Sequence, residues 1–175
     1  MAFATFLNLI RPEFGAKIGT PMKVYNFHGQ VRTFSGGGNK VDVMLLQALF
    51  RIFYYEFVGR GSARIPRGST GVIEVDGIVG KQTRIHIDDF QKQAVFFKVT
   101  LTADGVIDPF KKPGILTPHT GVPFQLLQLN FTCQSIAFRN GDIDVHQRMI
   151  DQDKHPDPIY PPALRSALRV PVVMR

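Results

Sequence analysis

The sequence predicts a mainly α fold with small β elements, a helical bundle with an N-terminal arm before it and a C-terminal hairpin plus extended tail after it. Three observations carry this prediction. Val43, Leu46, Leu49, Phe50, Phe53 and Phe57 recur at steps of three and four, which puts an apolar stripe on one face of a helix. Two Asp-Gly pairs, Asp76-Gly77 and Asp104-Gly105, mark tight turns, with Gly supplying positive φ and Asp bonding nearby amides. The C-terminal stretch carries Pro156, Pro158, Pro161, Pro162 and Pro171, and the fixed φ of proline favours extended chain. With 175 residues, 44% of them apolar, the chain is long enough to bury roughly 70% of its unfolded surface around one core.

Taken in order, residues 1–38 read as the arm. Lys23–Phe34 is rich in Val, Tyr, Phe and Thr around His28-Gly29 and predicts a short hairpin. Ser35–Gly38 reads as a flexible joint; the segment Gly36–Lys40 lacks the spacing of a phosphate-binding loop. Val41–Val58 is the clearest helix, with Asn39 or Asp42 placed to cap its first turn. Gly59–Gly71 is a loop bearing Arg60, Arg64 and Arg67, and its Gly59-Arg60-Gly61 is no dinucleotide fingerprint because Arg64 stands at the third glycine position.

After the Asp76-Gly77 turn, Thr83–Val95 predicts a second helix with Ile87, Phe90 and Ala94 on one side. The turn pattern partly repeats at Ala103–Pro109. Thr117–Gln134 fits two readings: Leu126, Leu129, Cys133 and Ile136 mark a helix face, while Leu127–Gln134 alternates as a strand does. The expectation is a helix to about Asn130 and then a hairpin, with Asn140-Gly141 turning between Ser135–Phe138 and Ile143–His146. The tail 155–175 is expected to be extended, broken by a short turn at Ala163–Leu168. The chain thus divides into 1–38, 39–134 and 135–175.

Composition narrows the function. No apolar run approaches the ~18 residues of a membrane span. Met1–Ile10 has no basic residue before it and no small-residue cleavage site after it, so the expectation is synthesis in the cytoplasm without a signal peptide. Cys133 is the sole cysteine, which excludes a disulfide framework and a multi-cysteine zinc site. Trp is absent while Phe occurs 15 times, which predicts a Phe-rich core and weakens a Trp-platform carbohydrate site.

The net charge of +7 favours anionic partners without choosing among nucleic acid, anionic lipid and wall polymer. Arg165, Arg169 and Arg175 follow the last acid, Asp157, while Asp142, Asp144, Asp151, Asp153 and Asp157 make the preceding segment acidic. Such runs are ordinarily solvated surface. Their sharper reading is a subunit whose acidic and basic ends meet neighbouring protein subunits, with nucleic acid the least favoured partner.

Residues 42–91 resemble the peptidoglycan-binding-like domains of the small three-helix type. The first helix of that family carries Val-x-x-Leu-Gln-x-x-Leu, and here Val43–Phe50 reads Val-Met-Leu-Leu-Gln-Ala-Leu-Phe. The family signature Asp-Gly-x-x-Gly-x-x-Thr, followed by a helix ending Phe-Gln, is matched by Asp76–Thr83 and Phe90-Gln91. A later Asp-Gly-x-hydrophobic-Asp-Pro turn and a helix ending Leu-Asn, found in a subset of wall-targeting and phage-type proteins, are matched by Asp104–Pro109 and Leu129-Asn130. The resemblance covers about residues 40–130, leaving arm and tail outside.

The resemblance implies a helical domain in which Asp76-Gly77 reverses the chain, Gly80 allows close approach at a helix start, Thr83 satisfies first-turn amides and Phe90 enters the core. The function implied is a non-catalytic component of a phage tail, contractile injection device or similar envelope-associated assembly, its arm and tail docking onto other subunits. The alternative is a peptidoglycan-binding module, for which the candidate ligand residues are Arg60, Arg64, Arg67, Asp76 and Arg84. Arg165, Arg169 and Arg175 are the candidate partner-binding residues.

Enzymatic readings are weaker. On a strand, Asp142, Asp144 and His146 would share a face and could ligate a divalent metal, the basis of a second alternative, a small metal-dependent wall hydrolase. No third ligand segment is evident, and an ordinary amphipathic strand with Ile143 and Val145 inward is the favoured reading of the pattern. Cys133 with His119 or His146 could form a thiol–imidazole pair, but an apolar run is where cysteine is usually buried and inert. Asp88-Asp89 points two ways on a helix and makes a poor acid–base pair. No metal or cofactor is therefore expected, and no catalytic residue is assigned.

Overall fold

The helix Lys40–Arg51, α1, is the axis of the fold, because every residue from Asp42 to Phe50 is buried. A helix covered on all sides must lie inside the protein rather than on its face. The computed structural model describes residues 3–8, 21–34, 37–57, 63–96, 103–109, 125–139, 149 and 160–169. Asn39 caps α1, its Oδ1 accepting the Val41 N–H at 3.0 Å. Asp42 serves another end: its carboxylate accepts the backbone N–H groups of His28 and Gly29 at 3.3 and 3.2 Å. At its C-terminal end α1 passes without a break into a π-helical turn, Ile52–Glu56.

Around this axis the described residues form three further helices and two antiparallel ribbons. β1 (Phe3–Asn8) pairs with β2 (Pro21–Asn26) from Phe3↔Asn26 to Asn8↔Pro21. β3 (Val31–Arg32) pairs with β4 (Val106–Ile107), Val31 opposite Ile107. The hairpin expected around His28-Gly29 is not formed. Asp42 folds that turn onto α1, so β2 and β3 leave it towards different partners. Val24, Tyr25, Phe27 and Val31 are buried in the same core as α1.

The second helix, α2, spans Lys81–Phe96 and buries Ile87 and Phe90, as the sequence predicts. The third, α3, spans Gln125–Arg139 and makes the described part of the ambiguous stretch, from residue 125 on, helical; 117–124 lie outside the described residues. Leu126, Leu129, Cys133, Ile136 and Ala137 are all buried, so the helical period wins over the local alternation. Ser135–Phe138, expected as a strand, is therefore helical; Asn140-Gly141 and Ile143–His146 lie outside the described residues.

The tail is corrected as well. Pro162–Arg169 is a regular helix, α4, starting with proline at its first position, where the missing N–H costs nothing. Leu164 and Leu168, one turn apart, are fully buried, and α4 lies against β1 and α1. Tyr160 just before it is buried too, its hydroxyl donating to Glu56. This part of the tail belongs to the core. No described helix is long and apolar enough to cross a membrane.

Three buried side-chain amides tie these elements together. Gln47 of α1 accepts the Gly77 N–H at 2.8 Å and donates to Asp76 Oδ1 (2.8 Å), the Ile78 carbonyl and Thr83 Oγ1 (both 3.0 Å). Gln91 of α2 repeats the arrangement one turn motif later. It accepts the Gly105 N–H at 2.9 Å and donates to Asp104 Oδ1 (3.2 Å), the Val106 carbonyl (3.1 Å) and Gln125 Oε1 (2.9 Å). In both turns the aspartate also accepts the N–H two residues on, at 2.8 Å from Ile78 and 2.9 Å from Val106. Asn130 of α3 clamps a strand instead, accepting the Tyr25 N–H at 2.9 Å and donating to the Tyr25 carbonyl at 3.0 Å.

Two expectations about this signature change. Thr83 does not satisfy first-turn amides; it donates to the Ile78 carbonyl and accepts from Gln47. Gly80 meets no close neighbour, and the close approach is at Gly77, where φ is +78° and a Cβ would come within 2.8 Å of the Lys40 carbonyl oxygen.

Gln47→Leu leaves the part-buried Gly77 N–H without its acceptor, and Gln91→Leu does the same to the Gly105 N–H, so each should cost about 1–3 kcal/mol in denaturant unfolding. Leu168→Ala should cost about 2–5 kcal/mol in the same assay. A tail that merely lies on the surface would give a change near zero.

Candidate functional site

Among the described residues the Asp76 turn and the start of α2 are exposed features tied down by several side-chain hydrogen bonds; two surface clefts open beside them and a third lies along the middle of α2. The loop leading to the turn is pinned at successive points. Ala63 N–H donates to the Phe53 carbonyl at 3.0 Å, and Gln82 Nε2 to Thr70 Oγ1 at 2.5 Å. Arg51 reaches the Ile73 carbonyl at 3.4 Å, and Pro66, Ile73 and Val75 are buried. The π-helical turn supplies a further anchor by placing successive tyrosines against α2. Tyr54 donates to Asp89 at 3.0 Å, and Tyr55 lies 2.8 Å from His86 Nε2 and 2.9 Å from both Ser69 Oγ and the Gly71 carbonyl.

His86 is the hinge of this network. Its Nδ1 lies 2.7 Å from the Gln82 carbonyl, which can only accept, so Nδ1 carries the proton, and Nε2 lies 2.8 Å from the Tyr55 hydroxyl, whose single proton also faces the Gly71 carbonyl. Burial pushes the imidazole below its ordinary value, against the opposing pull of the Gln82 carbonyl and Asp89. Burial, with Asp89 adding to it, raises the Tyr54 phenol far above the usual range. Phe50, Phe53 and Phe90 close round the pair, with Phe53 edge-on to both Tyr54 and Phe90.

The first cleft, about 370 Å³, holds Arg64 and Arg67 together with exposed Ile65 and, from α2, Asp88, Asp89 and Lys92. Its charges are answered locally: Asp88 pairs with Lys92 at 2.7 Å, and Asp89 takes Tyr54 and, at 2.6 Å, Gln93. Asp88 and Asp89 thus serve separate partners. The second cleft, about 470 Å³, runs beside Asp76 and is lined by Thr70, Glu74, Lys81, Gln82 and Thr83 among others. The third, about 330 Å³, lies on the other side of the turn and holds Arg84 with Arg32.

The predicted ligand residues are therefore divided. Arg64 and Arg67 share one cleft, Arg84 faces another, and Asp76 Oδ1 is spent on holding the turn. Arg60 lies outside the described residues, as do Arg175, His119, Asp142, Asp144 and His146. Arg165 and Arg169 sit on α4, Arg169 exposed. Cys133 is fully buried, its thiol donating to the Leu49 carbonyl at 3.3 Å, and burial holds it protonated well above its ordinary value. Among the described residues no group of three or more His, Cys, Asp or Glu side chains could hold a metal ion. Arg32, Tyr55 and His86 were not singled out in the sequence. Arg32 sits in the segment read as the arm, and nothing in its neighbours signals that it faces Arg84.

Comparison with protein-family models, curated proteins and solved structures returns no significant match.

Because the folded state holds His86 below the ~6.5 of a free imidazole, its contribution to stability is complete above about pH 6.5. It is lost as pH falls from there through the folded value, since the unfolded chain takes up the proton first. The melting temperature should accordingly fall as pH drops below about 6.5, and His86→Gln should flatten that part of the profile. Equal slopes for the two proteins would mean that other groups set the acid limb.

Proposed function

We propose that the chain is a non-catalytic interaction protein, a subunit of a larger assembly built on a peptidoglycan-binding-like helical scaffold. An envelope-associated assembly of the phage-tail or contractile-injection kind is the context the motifs favour. The observation that carries this reading is the use made of the motif residues. Gln47, Asp76, Gly77, Thr83, Gln91, Asp104, Gly105 and Asn130 all spend their polar groups or backbone freedom on holding turns and a strand. What the signature preserves is architecture, and the arginines beside it are left for partners. The partner surface in this reading consists of the clefts flanking the Asp76 turn and the exposed side of α4 at Arg169, since Leu164 and Leu168 commit the other side of α4 to the core.

A second reading, a peptidoglycan-binding module, is favoured by the 470 Å³ cleft beside Asp76. Its Thr70, Glu74, Lys81, Gln82 and Thr83 offer the polar lining that a polyhydroxyl glycan requires.

Co-sedimentation of the protein with purified peptidoglycan sacculi, at low and high salt, separates the two. A scaffold with +7 net charge should pellet weakly at low salt and not at all at high salt, where exposed charges are screened. Pelleting that survives high salt would overturn the scaffold reading in favour of wall binding.

A further inference from the structure

The geometry points to the cleft between the turn after β3 and the Asp76 turn as a docking site for an acidic protein segment that carries apolar side chains between its carboxylates. This rests on the reading of the chain as an interaction protein and names the chemistry of one partner.

The cleft is lined by Arg32, Phe34, Val43, Ile78, Val79 and Arg84, together with Thr33 and glycines, and among the described residues no carboxylate lines it. Of the acids next to lining residues in sequence, Asp42 is buried with its carboxylate accepting the His28 and Gly29 N–H groups, and Asp76 has Oδ1 bound by Gln47 and the Ile78 N–H; Asp108 is engaged by Gln30 at 2.5 Å. Arg84 is exposed and makes no ion pair or side-chain hydrogen bond among the described residues. Arg32 is held in place from behind. Its Nε donates to Gln30 Oε1 at 2.9 Å and Nη2 donates to the same oxygen, while Gln30 in turn donates to Asp108. The chain of bonds fixes the guanidinium and leaves Nη1 for a ligand, so part of the ordering cost is met before binding.

The two other clefts lack this character. Asp88 and Asp89 line the Arg64–Arg67 cleft, and Glu74 and Asp76 line the polar one, so an anion entering either meets carboxylates. Positive charge goes unopposed in the third cleft alone among the three.

Its apolar part decides the class of partner. Phe34 is 51% and Ile78 63% exposed, unusually high for such side chains, and they stand at the cleft with Val43 and Val79. A nucleic acid strand would call for a longer run of basic groups than two arginines. A glycan would call for several polar side chains, of which Thr33 is the sole uncharged one here. An aromatic and an aliphatic anchor flanked by arginines is instead the composition of a protein-binding hot spot. The held Arg32 guanidinium and the exposed one of Arg84 then select carboxylates on the partner segment.

The test uses the full chain, immobilised, to select from a displayed library of random dodecapeptides, with fluorescence anisotropy on the enriched sequences. The expected winners carry Asp or Glu on either side of Leu, Ile or Phe, and their affinity falls about tenfold or more in an Arg32→Gln/Arg84→Gln double variant. Ile78→Ser should weaken them about fivefold or more, which simple charge attraction would not produce. Both arginines are exposed, so the double variant should keep the parent's melting temperature. Enrichment of no peptide, of peptides lacking acids, or of peptides that bind the double variant equally well would overturn the proposal. Salt-resistant pelleting with sacculi that the double variant abolishes would also overturn it, giving the cleft to the wall polymer and defeating the scaffold reading with it. Failure of the peptides without salt-resistant pelleting would remove the docking site and leave the scaffold reading standing.

Discussion

The fold depends on buried side-chain amides that stand in for missing secondary structure. Between α1 and α2, and again between α2 and α3, the chain makes its turns with almost no sheet to satisfy the backbone. A buried N–H or carbonyl without a partner costs more than a typical hydrogen bond returns, so each turn needs a donor and an acceptor brought to it. Glutamine and asparagine carry both on one planar group. Gln47 and Gln91 each hold an Asp-Gly turn by its glycine N–H and the following carbonyl, and Asn130 holds Tyr25 by both of its backbone groups. Each clamp joins elements distant in the chain, so the helices cannot shift against the turns without leaving several groups unsatisfied.

That constraint organises the surface. With the Asp76 turn clamped to α1 and the start of α2 held to it through Thr83, the turn becomes a rigid ridge with clefts beside it. The loop carrying Arg64 and Arg67 is fixed independently, through Tyr55 and His86, because the π-helical widening after Arg51 places Tyr54 and Tyr55 in succession against α2. The arginines named together as candidate ligand residues are thereby sorted into different electrostatic settings. Arg64 and Arg67 lie beside the carboxylates of α2, whereas Arg84 shares an acid-free cleft with Arg32.

The same logic explains why the chemistry-bearing residues within the described part of the chain read as supports. Cys133 donates its thiol inside the core, Tyr54 donates to Asp89, and His86 is held as a neutral ring between a carbonyl and a phenol. Each is paired in the direction that keeps it uncharged or fixed. None is aimed into a cleft with a second group poised to exchange a proton with substrate.

The sequence by itself determined the helices whose apolar period is long and uninterrupted, α1 and α2, and the two Asp-Gly turns, whose conformation follows from glycine's freedom and the short aspartate side chain. It also marked Gln47, Gln91 and Asn130 as signature residues without revealing what they hold. Tertiary structure alone decided the rest. Whether 131–139 became helix or strand depended on a buried face available to Leu129, Cys133 and Ile136, because the local pattern served both. The strands after β1 found their partners through Asp42, a residue in another element that claims the turn at His28-Gly29. Leu164 and Leu168 turned a proline-rich tail into a core helix, and the pairing of Arg32 with Arg84 arose from segments 52 residues apart in the sequence. Local periodicity reports what a segment prefers, whereas burial and hydrogen-bond satisfaction are settled only between segments, and the clefts are made of those settlements.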